Sequence, residues 1–259
     1  MVATSRFIEL VPGVLVATSR NYATTTTALL DGAGGAVVVD PAWDPDELAA
    51  ISSDLASLGA QCVAGLATHE HYDHVMWHPD LGEVPRWSSS TTVRRLADAR
   101  DDVLAPLTAF LPADLIAVAG RLQALDSARL PWAGPEATCI VHDAHAPGHL
   151  AILVERTGVL IAGDMLSDVE LPMPASEDTT LERYLIGLDK LRDASARAIW
   201  VIPGHGTPSG DPRARFDADL RYLDDLIAGR RSDDPRVSYP VNLELHQENL
   251  ARATGSRQA

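Results

Sequence analysis

The stretch His69-Glu70-His71-Tyr72-Asp73-His74 puts three imidazoles and a carboxylate into six residues. The chain has only nine histidines, so a third of them sit in this one segment. It follows Cys62–Ala67, an apolar run that reads as a buried strand. A loop leaving such a strand can turn alternate side chains to one side, so that His69 and His71 meet one cation while Asp73 and His74 address a second. Neutral imidazole is the commonest zinc donor and carboxylate its usual partner.

A centre with two ions needs more donors, and the sequence offers them at the ends of later apolar runs. Ala146-Pro147-Gly148-His149 follows the strand candidate Thr138–His142. Leu160-Ile161-Ala162-Gly163-Asp164 ends in a carboxylate, and Trp200-Val201-Ile202-Pro203-Gly204-His205-Gly206 ends in a histidine between glycines. Each is an apolar run, a glycine that lets the backbone turn, and one side chain able to bind metal.

In this order the motifs resemble those of the metallo-β-lactamase-fold superfamily: His-x-His-x-Asp-His, a later His, an Asp, and a final His. The resemblance runs from about Val14 through His205. It implies an α/β fold, a four-layer αββα sandwich, with two divalent metal ions, Zn(2+) by expectation. His69, His71 and His149 would hold one ion, Asp73, His74 and His205 the other, and Asp164 would bridge them. Asp40, which ends Val37-Val38-Val39-Asp40, would support the ligands without binding an ion. The implied activity is hydrolysis of a small ester, lactone or thioester by a hydroxide bridging the ions. Asp73 would serve as the catalytic group that orients the hydroxide and carries its proton. The alternative within the fold is a mononuclear iron persulfide dioxygenase retaining His69, His149 and Asp164.

Some branches fit less well. Lactonases of the acyl-homoserine type carry a tyrosine where this chain has Met165-Leu166-Ser167. Glyoxalase II enzymes hold an anionic tripeptide with basic residues, whereas Asp168, Glu170, Glu177 and Asp178 follow Asp164 here. The zinc β-lactamases lack a bridging Asp. Ala146 and Leu150 replace hydroxyl residues that the family places around Pro-Gly-His. A binding protein without catalysis is disfavoured because the donor set is complete.

The other polar residues near the motifs have plainer readings. Glu70 points away from the ions into solvent or supports them from behind, and Tyr72 packs beside the loop. His142 and His145 fall outside the Pro-Gly-His frame, as surface or supporting residues. His78 caps a short turn, and His246 belongs to no motif. Trp43, Met76, Trp77, Leu171, Pro172 and Met173 flank the motif loops and offer either an apolar mouth or simple packing.

The 259 residues suffice for one large domain, and 46% hydrophobic composition supplies its core. A net charge of −15 argues against a nucleic-acid partner, since phosphate binding needs clustered Lys and Arg. No stretch reaches the roughly 20 apolar residues of a membrane span, and the first residues contain no signal-peptide core. Cys62 and Cys139 lie in apolar strands without metal spacing, as reduced core residues. The expected protein is cytoplasmic and acts on a small molecule.

Strands are expected at Phe7–Leu10, Val14–Ala17, Thr24–Leu30, Val37–Val39, Pro85–Trp87, Leu122–Leu125, Ala151–Glu155, Val159–Ala162 and Ala198–Ile202. Helices are expected at Pro45–Leu58, capped by Asp44, and at Ser90–Ala99, Thr179–Arg192 and Pro212–Gly229. Residues 98–132 form an insertion within a single domain of residues 1–259, serving as a lid, a homo-oligomer contact or a helical pair on the core. The segment from Ser232 is expected to be a polar tail.

Overall fold

The structure, a computed structural model, describes residues 5–172 and 180–255. Met173, Glu177 and Asp178 lie outside them. The chain divides into two compact units, Met1–Cys139 with Val154–Thr157, and Ile140–Leu153 with Gly158–Ala259.

The first unit is built on a seven-stranded sheet in sequence order: β1 (Ile8–Val11), β2 (Val14–Thr18), β3 (Thr25–Leu30), β4 (Gly35–Val39), β5 (Gln61–Leu66), β6 (Arg86–Ser88) and β7 (Gln123–Ala124). The first four strands pair antiparallel, because tight turns such as Pro12-Gly13 join them. From β4 onward the pairing is parallel, because long crossovers replace the tight turns: the histidine loop carries β5 to β6, and helices make the others. These are α1 (Pro45–Ser57) between β4 and β5, and α2 (Ser90–Leu104) with α3 (Ala113–Val118) between β6 and β7. Leu48, Ile51 and Leu55 of α1 are fully buried, as their helical spacing predicts. Asp44 precedes α1 but makes no side-chain cap; its carboxylate accepts two hydrogen bonds from Asn21 Nδ2, at 3.0 and 3.1 Å.

Helix α2 runs past the expected end at Ala99, where the backbone departs from helical angles without ending the helix. Leu104, Leu107, Leu111 and Leu115 are all buried in the core of this unit. The stretch 98–132 therefore contributes packed helices. Met76 and Trp77 are also buried in that core, as packing residues and not as an open mouth.

The second unit is built on a four-stranded sheet of order β11-β10-β9-β8, with β8 at Ala137–His142, β9 at His149–Val154, β10 at Val159–Gly163 and β11 at Trp200–Pro203. Strand β9 is buried along its whole length, and β10 pairs parallel with β11. Helices α4 (Leu181–Lys190), α5 (Arg192–Arg197) and α6 (Pro212–Ala228) supply Tyr184, Leu188, Ala194, Phe216, Tyr222 and Leu223 to its core. Leu171 joins the same core.

The expected polar tail is instead helix α7 (Pro240–Gly255). Its inward residues include Asn242, His246 and Asn249, all buried. His246 Nδ1 lies 3.0 Å from Tyr222 Oη, and Asn249 Nδ2 donates to the same oxygen and to Pro172 O. A helix held by a polar ladder has no apolar periodicity to reveal it, so it reads as tail until its partners are known.

Candidate metal centre

In the first unit, β5 lies between β4 and β6, and its C-terminal end delivers the histidine loop. His69 and His74 are fully buried, and Glu70 and Asp73 nearly so. His69 Nε2 and His71 Nδ1 stand 2.9 Å apart, and the rings of His69 and His74 have centroids 4.3 Å apart. The loop thus does bring its imidazoles together. The Asp73 carboxylate approaches His74 Nε2 at 3.6 Å.

Asp40 organises this half from behind. Its Oδ1 accepts the Thr68 backbone N–H at 2.8 Å, and its Oδ2 accepts the Thr68 hydroxyl at 2.8 Å. The same Oδ2 lies 3.1 Å from His74 Nδ1. Thr68 Oγ1 in turn lies 3.0 Å from His69 Nδ1. One buried carboxylate therefore sets the orientation of two imidazoles, directly and through a threonine, and leaves the Nε2 atom of each ring facing the loop interior. Asp40 adopts a left-handed backbone (φ 47°), a conformation costly for a residue with a Cβ. Thr68 is a site residue that the sequence did not single out, since nothing distinguishes a threonine before a histidine until its hydroxyl has a partner.

Glu70 is buried and not solvated. Its Oε1 accepts from Arg95 Nε at 2.7 Å, which ties the loop to α2. Tyr72 packs edge-on against Trp43, with centroids 5.9 Å apart and planes at 78°. His78 caps the turn Pro79–Leu81 as expected, accepting the Asp80 N–H at 3.2 Å.

In the second unit, the parallel strands β10 and β11 end side by side, with Gly163 opposite Pro203. Asp164 and His205 lie just beyond those ends. Gly204 is required between them, because a Cβ there would overlap Asp164 Oδ1. His205 Nε2 lies 3.5 Å from Asp164 Oδ2.

The histidine expected beside them, His149, meets Asp164 through that residue's backbone. It is the first residue of β9 and fully buried, so the strand fixes its direction. Its Nε2 accepts the Asp164 backbone N–H at 3.2 Å, and its Nδ1 lies 3.2 Å from His142 Nε2. Both ring nitrogens are engaged by protein. His142 stacks on it and is buried, with its pKa pushed down to about 3 by burial and, less, by nearby Lys190. The residue that reaches the acidic group is His145, in the turn before β9, with Nε2 3.3 Å from Asp164 Oδ2. It too is buried, which corrects its reading as a surface residue. The pair His145 and His149 flanks Ala146-Pro147-Gly148, and spacing alone does not say which histidine leaves the strand direction.

Two imidazole nitrogens thus converge on one carboxylate oxygen. Donors about 2.0–2.1 Å from a tetrahedral ion stand about 3.3–3.4 Å from one another, so each histidine–carboxylate separation suits a cation held by that pair. The donor set of nitrogens and carboxylate oxygens suits zinc and similar divalent ions.

Cys62 and Cys139 are free thiols whose pKa values burial raises to about 12 and about 11, which disfavours the thiolate at neutral pH. Among the described residues, no helix is long and apolar enough to cross a membrane.

Known structures share this architecture. A metallo-β-lactamase from Pontibacter korlensis superposes with a TM-score of 0.66 at 16% identity, over 85% of this chain and 98% of its own. A metallo-β-lactamase family protein from Thermus thermophilus does so with 0.64 at 24% identity, over 94% and 91%. A β-lactamase domain protein from Burkholderia ambifaria gives 0.64 at 20% identity, over 88% and 78%. At these identities the likeness is one of fold. No curated protein matches the chain. The family model of the metallo-β-lactamase superfamily matches residues 23–228, and with two sheets flanked by helices the chain belongs to that superfamily.

Proposed function

We propose that this protein is a dinuclear, zinc-dependent hydrolase of a small neutral ester or lactone. The observation that carries this reading is the convergence of His145 Nε2 and His205 Nε2 on Asp164 Oδ2, at 3.3 and 3.5 Å. The donors are then those of the family pattern with one substitution: the loop of the first unit offers His69, His71, Asp73 and His74, and the second unit offers Asp164 and His205 with His145 in place of His149.

When bound, a pair of divalent ions supplies Lewis acidity and lowers the pKa of a water from 15.7 toward about 7. Asp73 takes up the proton of the attacking water and returns it to the leaving oxygen, so the acyl–oxygen bond breaks as acid and alcohol form. Asp40 and Thr68 hold the His69 and His74 rings in place throughout. The net charge of −15 favours neutral substrates over anionic ones at low salt, within a Debye length of about 10 Å at 0.1 M.

The test combines elemental analysis of purified protein with kcat/KM for a neutral lactone, a neutral ester and S-lactoylglutathione at low and high salt. The expected result is close to two zinc ions per chain and preference for the neutral substrates. One iron and no zinc would move the assignment to the dioxygenase. Preference for the glutathione thioester would overturn the charge argument.

A further inference from the structure

We propose that Glu170 is an additional metal ligand, which makes the Asp164–His205 half of the centre richer in carboxylate and narrows its preference for zinc over harder divalent ions. The inference rests on the reading of Asp164 and His205 as ligands. A His205 ring nitrogen and one carboxylate oxygen each from Asp164 and Glu170 lie within 4.8 Å of one another. Asp164 is only 8% exposed, and a second carboxylate this near raises the cost of its charge, which a bound cation offsets.

The loop from Asp164 to Glu170 is tied so that this approach is held. Leu166 takes a left-handed backbone (φ 60°), and its N–H donates to Asp219 Oδ2 at 3.1 Å. The Ser167 hydroxyl donates to the His205 carbonyl at 2.7 Å and accepts the Glu170 N–H at 3.0 Å. Arg236 Nη1 donates to the carbonyls of Ser167 and Glu170, at 2.9 and 3.0 Å, and to Asp219 Oδ1 at 2.7 Å. Arg236 and Asp219 are themselves buried. Both backbone polar groups of Glu170 are therefore fixed, one of them by a hydroxyl bound to His205 itself. Two carboxylates with one imidazole form a set that suits manganese better than an all-imidazole set does.

Glu170→Gln removes the charge and weakens the donor, while Glu170→Asp keeps the charge but shortens the arm by one methylene. The experiment titrates metal-free wild type and both variants with Mn²⁺ and Zn²⁺ against a chromophoric chelator, and records the visible spectrum of each with Co²⁺. Both variants should lose about 10–100-fold in affinity for Mn²⁺ at one site, and less for Zn²⁺. Their Co²⁺ bands should intensify as the coordination number falls. Unchanged Mn²⁺ affinity in Glu170→Gln overturns the inference. So does a Glu170→Asp variant that matches wild type, since charge alone would then account for Glu170. Wild-type protein that binds no metal would instead overturn the functional reading beneath it.

Discussion

His145 Nε2 stands 3.3 Å from Asp164 Oδ2, whereas His149 meets the same residue through its backbone, with Nε2 accepting the Asp164 N–H at 3.2 Å. One histidine addresses the carboxylate that a metal would use, and the other holds the chain that carries it.

Replacement of the two histidines should therefore separate binding from folding. His145→Ala should lower metal content, with the urea midpoint of the chelated protein nearly unchanged. His149→Ala leaves His142 and the Asp164 N–H without their buried partner, which costs about 1–3 kcal/mol. It should shift the urea midpoint while the folded fraction still binds metal. Equal metal loss from both variants at unchanged stability would return His149 to the ligand set.

Asp73→Asn keeps the size of the side chain and removes its capacity to take a proton. Hydrolysis should fall by about 10²–10⁴-fold, while His69 and His71 are left in place and metal is still retained. Rate measurements on samples of known metal content check this. A variant with full metal and full activity would remove Asp73 from the chemistry.

The buried His142 makes stability depend on pH. Its pKa is held at about 3 in the folded chain, against about 6.5 when unfolded. Between those values the unfolded state binds a proton that the folded state does not, so stability falls as pH drops below about 6.5 and continues to fall toward 3. From pH 7 to pH 5 the loss attributable to this residue is about 2 kcal/mol. Urea unfolding of the chelated protein at the two pH values should show a smaller difference in His142→Gln than in wild type.

Arg236 forms buried ion pairs with Asp219 and Asp234 and donates to two carbonyls of the Asp164 loop, those of Ser167 and Glu170. Arg236→Met leaves Asp219 buried without its cation, which typically costs about 3–5 kcal/mol. Chemical denaturation should report a loss of that order. Arg236→Lys should recover only part of it, because an ammonium cannot reproduce the forked contacts of the guanidinium.

Much of the molecule is legible in residue order. The β-branched run before the Asp31 turn, the helical spacing of Leu48, Ile51 and Leu55, and the glycines at the strand ends all report local preferences, and the elements form where those preferences agree. Helix α7 escapes such a reading because its inward face is Asn242, His246 and Asn249, polar groups that become buried only when Tyr222 and the loop carbonyls meet them. Glu70 likewise reads as solvated until Arg95 arrives from α2.

The sequence by itself determined the family, the histidine loop and the carboxylate at the end of β10, because each is a short motif whose residue types and spacing carry the chemistry. Only the tertiary structure decided which of His145 and His149 faces Asp164, and that Thr68 links Asp40 to His69. The direction of a side chain depends on whether its residue lies in a strand or in the turn before it. Its usefulness as a ligand depends on which nitrogen the surrounding protein has already engaged. Both are set by neighbours distant in the chain.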